Sequence, residues 1–220
     1  MNNASAHPWY VRHGLGLALL AICVVSLVGQ VLAGHAAWNE ERADEGMSPL
    51  SLVAYLETGH FVSATFENWE SEFLQMGMYV LLTVWLRQRG SAESRPLDPA
   101  EEEERVMPGP APAWATAGGW REFVYSNSLA IAFFLLFAAS FLAHLEGSWR
   151  HELDERAMKG KPPIALWDHF TGSQFWFESF QNWQSEFLSV LAIVVLSIFL
   201  RQHNSPQSKP VRAPHRQTGT

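Results

Sequence analysis

The chain of 220 residues contains a single cysteine, Cys23, which excludes an intrachain disulfide framework and any zinc site built on thiolates. It also lacks a basic stripe. With 15 Lys and Arg against 22 Asp and Glu, the formal net charge is -7; no clustered cations are present to displace phosphate counterions, so nucleic acid is not an expected partner. No Gly-rich phosphate loop, nucleophile elbow or H-E-x-x-H motif occurs, and the usual enzyme signatures are therefore missing. Charge itself is scarce, at 17% of residues. It is also unevenly spread: long runs almost free of it alternate with connecting segments that hold nearly all of it, and a mean hydropathy near zero averages the two.

The charge-free runs have the length of membrane spans. Gly14 to Gly34 has Gln30 as its one strongly polar residue, and Ser128 to Gly147 carries His144 and Glu146 only in its last turns; at about 1.5 Å per residue each crosses a hydrocarbon core of about 30 Å. The stretches Phe73 to Leu86 and Phe187 to Leu200 are shorter. To span, they must begin at Phe66 and Phe180, which takes Glu67, Glu70 and Glu72, or Gln181, Gln184 and Glu186, into the first turns. The expectation is an all-α membrane protein with four transmembrane helices in the lipid bilayer. Ten Lys and Arg flank the termini and centre, from Arg12 to Arg216, and five lie in the opposite loops (Arg42, Arg150, Arg156, Lys159, Lys161), so both termini are predicted cytoplasmic. A cleavable signal peptide is the competitor for the first span, since Arg12 and His13 precede an apolar core that ends in Val31-Leu32-Ala33. A signal peptide has no reason to recur within the chain, as this segment does.

The recurrence appears on sliding the sequence against itself by 114 positions, which aligns residues 13–96 with 127–210 without a gap. Phe66, Asn68, Trp69, Ser71, Glu72, Phe73 and Leu74 meet Phe180, Asn182, Trp183, Ser185, Glu186, Phe187 and Leu188. Leu86-Arg87-Gln88 meets Leu200-Arg201-Gln202, and Gly46 and Pro49 meet Gly160 and Pro163. Each copy holds an even number of spans, so the two should be parallel repeats, a pair of tandem hairpins. The expected organisation is a first repeat at 1–96, a flexible acidic Pro-rich linker at 97–120, a second repeat at 121–210 and a disordered tail at 211–220. Glu101 to Glu104 with Pro99, Pro108, Pro110 and Pro112 make the linker unable to bury a core. The outer loops begin short interfacial helices at Pro49 and Pro163.

The stretch Phe175-Trp-Phe-Glu-Ser-Phe-Gln-Asn-Trp-Gln-Ser-Glu-Phe-Leu188, followed by Leu200-Arg-Gln and Ser205-Pro-Gln-Ser-Lys-Pro210, resembles a family of bacterial integral membrane proteins catalogued only as a domain of unknown function. The resemblance covers nearly the whole chain apart from the central linker. It implies a bacterial multi-pass membrane protein and assigns no chemistry; the expected location is the bacterial inner membrane. His203-Asn204 departs from the Arg-Gly that family members, and the first copy here at Arg89-Gly90, carry in that place.

Asn68, Glu72, Gln75, Tyr79 and Thr83 fall within about an 80° sector of an ideal helix, and Asn182, Glu186, Ser189 and Ser197 repeat most of that stripe. A carboxylate in hydrocarbon costs several kcal/mol, so the stripe should face the protein interior or water. Depth places Gln30 and His144 beside Asn68, Glu72, Asn182 and Glu186. The expected cluster is Glu72, Glu186, His144, Gln30, Asn68 and Asn182, with His144 bonded to one of the two Glu. Two interpretations stay open: a site for protons, ions or a ligand, or structural capping, in which Asn and Glu near a helix N-terminus satisfy unpaired amides. Gly29 with Ala33, and Ala143 with Gly147, have the spacing of close helix contacts.

His35, His60, His151 and His169 lie in the outer loops, but no ligand pair repeats: His35 aligns with Trp149 and His60 with Gln174. No metal site and no catalytic residue is therefore expected, and the residues identify no cofactor. Three functions are compatible with these observations. The first is a small non-enzymatic channel or transporter that assembles as a homo-oligomer around an acidic interior. The second is an envelope assembly or scaffold protein docking through its outer aromatic loops. The third is a membrane enzyme using His144 with a carboxylate.

Overall fold

The computed structural model describes residues 8–98, 106 and 108–219. The described chain is all helical, in the order α1 (Trp9–Arg12), α2 (Gly14–Asp44), α3 (Leu52–Leu56), α4 (Gly59–Trp85), α5 (Gly119–Ser126), α6 (Ser128–Met158), α7 (Leu166–Phe170) and α8 (Ser173–Phe199). Three of these, α2, α6 and α8, are long and apolar enough to cross a membrane. Helix α4 matches α8 in length, at 27 residues, but carries Glu67, Glu70 and Glu72 and does not join that set by composition. Where the sequence leads one to expect four spans, the helices thus divide into three apolar ones and one acidic one. The expected linker charge cluster, Glu101 to Glu104, lies outside the described residues.

The long helices run well past the expected span ends, because the residues that follow also favour helix and, on α6, pair their charges. Helix α2 continues from Gly34 to Asp44, and α6 from Gly147 to Met158. On α6 the extension is laced by Arg156 to Glu152 at 2.7 Å, Lys159 to Glu155 at 2.9 Å and His151 to Glu155 at 3.4 Å, all at the i,i+4 spacing that helices favour. Both helices stop in the same way. Gly46 and Gly160 take positive φ, at 73° and 62°, and the backbone closes Gly46 N–H to Ala43 O with Met47 N–H to Arg42 O, and Gly160 N–H to Ala157 O with Lys161 N–H to Arg156 O. This double closure occupies carbonyls that the helix end leaves open, and glycine adopts its left-handed hinge without a Cβ penalty.

The chain falls into two compact units, Met1–Ser63 with Glu146–Ala165, and Ala64–Leu145 with Leu166–Thr220. This division runs across the expected repeats 1–96 and 121–210, because α4 and α6 are continuous helices that contribute a segment to each unit. In the first unit the core is aromatic. Trp38 and Tyr55 are each 1% exposed; the Trp38 ring stacks on His60 at 5.0 Å, and His151 meets both edge-on at 5.1 and 5.2 Å. Tyr55 packs on the bare face of Gly34, and its hydroxyl lies 3.1 Å from His60 Nδ1. His35 Nε2 donates to Leu50 O at 2.8 Å, and at the corresponding position Trp149 Nε1 donates to Ile164 O at 2.9 Å. Two different ring donors thus hold down the same turn, which explains why histidine need not repeat there. The short interfacial helices expected after Pro49 and Pro163 are five residues each.

In the second unit the Leu-Arg-Gln segments end α4 and α8. Arg87 Nη1 donates to Thr83 O and Val84 O, and Arg201 Nη1 to Ser197 O and Ile198 O, so each guanidinium covers the last open carbonyls and complements the negative helix end. The next residue hands its N–H to a serine: Gln88 to Ser94 Oγ and Gln202 to Ser208 Oγ, both at 2.9 Å. Where the sequence suggests a disordered tail from 211, residues 215–219 carry bonds back to the chain. Lys209 Nζ is wrapped by the carbonyls of Gly90, His215 and Gln217, and Gly219 N–H reaches Ser91 O at 2.9 Å. A buried ammonium needs such acceptors, and the terminal segment supplies two of them.

Of the small residues noted for close packing, Gly29 faces open space while Gly147 is in tight contact. A Cβ at Gly147 would stand 2.6 Å from the backbone nitrogen of Ser63, so any side chain forces the two segments apart. Gly147→Ala is expected to destabilise the protein by about 2 kcal/mol or more, read as a lowered thermal midpoint in detergent; an unchanged midpoint contradicts the packing. His60 supplies a pH test. Burial, and then the charge of His151, lower its pKa from 6.5 to about 4 against an opposing pull from Glu155. The folded value lies below the unfolded one, so the unfolded chain binds the proton more tightly: stability is complete above about pH 6.5 and is lost as pH falls towards 4. His60→Phe is expected to flatten that loss in unfolding curves recorded across this range, and an unaltered slope would count against it.

Candidate functional site

Helices α4, α6 and α8 bring four ionisable side chains of the second unit together. Glu67 and Glu70 lie three residues apart on α4 and therefore share a face; α6 supplies His144, and α8 supplies Glu178. His144 is the centre. Its side chain is 0% exposed, with Nδ1 3.1 Å from Glu70 Oε2, also 0% exposed, and Nε2 3.9 Å from Glu178 Oε2. Neither ring nitrogen completes an aligned hydrogen bond, and Glu70 Oε2 and Ser179 Oγ are likewise buried without one. Phe175, fully buried, lies against the imidazole at 4.9 Å between ring centroids and carries the aromatic wall on to Phe141 and Trp176.

Each carboxylate is steered by a neutral donor. Asn182 Nδ2 donates to Glu67 Oε1, Trp183 Nε1 to Glu70 Oε1 at 3.2 Å, and Gln174 Nε2 to Glu178 Oε1 at 2.7 Å. The second oxygen of Glu70 and of Glu178 is the one directed at the imidazole. One donor atom from each of Glu67, His144 and Glu178 lies within 4.8 Å of the other two, a set able to hold a metal ion. The charge balance is one-sided: three carboxylates and one imidazole share the centre, and the segments 59–85, 128–149 and 173–199 that carry them contain no Lys or Arg. Glu70 is fully buried while Glu67 and Glu178 are partly exposed; a buried carboxylate without compensation costs several kcal/mol, which a proton or a bound cation would offset.

The expected cluster is redistributed. His144 and Asn182 belong to the centre. Asn68 and Glu72 are exposed, and Glu186 is half-buried and within electrostatic range of Glu72; the carboxylates beside His144 are Glu70 and Glu178 instead. Glu70 and Glu72 stand about 160° apart around α4, so one helix orientation cannot turn both to His144. Gln30 belongs to the other unit. Nor are Asn68 and Asn182 helix caps: each lies nine residues beyond its helix start, and its Nδ2 donates one turn back, to Ala64 O and Glu178 O.

Glu67, Glu70 and Glu178 escaped the sequence reasoning because it favoured positions that are identical in the two halves. The ionisable residues of the centre occupy positions that differ. At a spacing of 114, Glu67 corresponds to Gln181, Glu70 to Gln184, Glu178 to Ala64 and His144 to Gln30. The available signal is a carboxylate in one half where the other has an isosteric amide.

No curated protein and no solved structure matches the chain. One family does, over residues 6–220 and so over the residues of the His144 centre as well as both helix-ending segments: the chain belongs to the family described as Domain of unknown function (DUF6766).

Proposed function

We propose that this is a four-span protein of the bacterial inner membrane, with α4 crossing as the fourth helix, and that it passes protons or small cations by way of the His144 centre. In this proposal the two hairpins are tandem repeats joined by a cytoplasmic linker, the termini are cytoplasmic, and copies of the chain assemble in the bilayer. The observation that carries it is a fully buried imidazole set among three carboxylates on helical segments without Lys or Arg. Ionisable groups at membrane depth are costly and mark ion or proton routes, and a centre whose charge must be balanced from outside binds and releases the balancing ion. Acidic α4 then crosses by turning Glu67 and Glu70 inwards, the arrangement that lipid demands. A second proposal, a non-catalytic scaffold, draws on Trp167 and Phe177, which are 70% and 62% exposed.

Flux separates the two. Purified protein in proteoliposomes, under an imposed potential and with a pH-sensitive or cation-sensitive dye inside, is expected to conduct. Glu70→Gln and Glu178→Gln should each lower the rate at least tenfold while Glu72→Gln leaves it within twofold. No flux from the folded wild-type protein contradicts transport and leaves the scaffold.

A further inference from the structure

We propose that Glu67, His144 and Glu178 form a binding site for a divalent first-row transition-metal ion, with Glu70 orienting the imidazole from behind. The inference rests on the proposed cation-handling centre and names its ion.

The geometry divides the four side chains into two roles. His144 Nδ1 faces Glu70, whose other oxygen is anchored by Trp183. This is the arrangement in which a metal-bound histidine gives its second ring N–H to a carboxylate, which sets the tautomer and leaves Nε2 free to bind metal. Nε2 points to the other side, towards Glu178, and Glu67 completes the triad. Asn182 and Gln174 donate to one oxygen of Glu67 and of Glu178, and the other oxygen of Glu178 faces Nε2. Metal bonds of about 2.0–2.2 Å place ligand atoms about 3–3.5 Å apart; the present spread, up to 4.8 Å, closes by side-chain rotation of about an ångström.

The unsatisfied atoms point the same way. The ring is 0% exposed, Nδ1 faces Glu70 at 3.1 Å, and Nε2 completes no aligned hydrogen bond; coordination at Nε2 supplies one. Two carboxylates neutralise a dication, and Glu70 compensates the polarised imidazole. One nitrogen and two carboxylate oxygens suit Mn2+, Fe2+, Co2+ or Zn2+; Ca2+ and Mg2+ prefer oxygen alone, and Cu+ prefers sulfur. Three protein ligands also leave a coordination position open, as befits an ion that is exchanged or that binds a further group.

The test uses the full chain in detergent, stripped with chelator and titrated with CoCl2 while the visible d–d absorption is followed, with ZnCl2 as competitor. The expected result is saturation at one Co2+ per chain with displacement by Zn2+. Glu178→Gln and His144→Ala should weaken binding at least tenfold or abolish the band. Glu70→Gln should weaken it about tenfold while keeping the band, and Glu72→Gln should leave the titration unchanged. Helicity by circular dichroism checks each variant, and if His144→Ala does not fold, Glu67→Gln takes its place. Absence of a Co2+ band with folded wild type, or a band that survives in folded Glu67→Gln and Glu178→Gln, overturns the site. Binding without liposome flux keeps the site and removes transport, whereas proton flux without Co2+ binding does the reverse.

Discussion

The cost of placing a carboxylate where water is scarce governs the arrangement of this protein. Helix α4 carries Glu67, Glu70 and Glu72 within six residues, and no rotation of one helix can bury all three on a single face. The outcome is a division: Glu70 is fully buried against His144, Glu67 is held by Asn182, and Glu72 is left exposed. Helix α8 carries two acids, Glu178 directed at His144 and Glu186 half-buried, and fills the equivalents of Glu67 and Glu70 with glutamine. The carboxylates are then oriented by amide and indole donors, which add no charge and leave the centre net acidic apart from His144.

Away from that centre, the helix ends explain much of the residue pattern. An α-helix leaves four carbonyls open at its C-terminus, and the chain closes them in two ways, each used twice at a spacing of 114 residues. Gly46 and Gly160 end the long apolar helices with left-handed turns, and Arg87 and Arg201 cover the ends of the acidic and the last helix. The Leu-Arg-Gln and Ser-x-Pro segments are therefore structural stops. The His144 centre lies elsewhere, and its imidazole and carboxylates are residues that the two halves do not share.

The helical class, the apolar runs and the inward placement of His144 are legible because each follows from a local rule: run length, periodicity, or a polar residue in an apolar segment. Helix ends beyond Gly34 and Gly147 were less legible, since paired charges such as Glu152 with Arg156 extend a helix as readily as they solvate a loop. The phase of α4 was the hardest part. A stripe through Asn68 and Glu72 and a face through Glu67 and Glu70 are equally regular in sequence, and only packing against Trp183 and His144 decides which one turns inwards. Self-similarity favours the first, whereas Glu67, Glu70 and Glu178 lie where the two halves of the sequence differ.

The contact between Glu70 and His144 carries this account, and its coupling energy is directly measurable. A double-mutant cycle on Glu70→Gln and His144→Gln, with unfolding free energies taken in the same detergent, isolates the pair from the rest of the centre. The contact predicts non-additivity of about 1 kcal/mol or more. Effects that sum to within about 0.3–0.5 kcal/mol, the range seen for residues that do not touch, would contradict it.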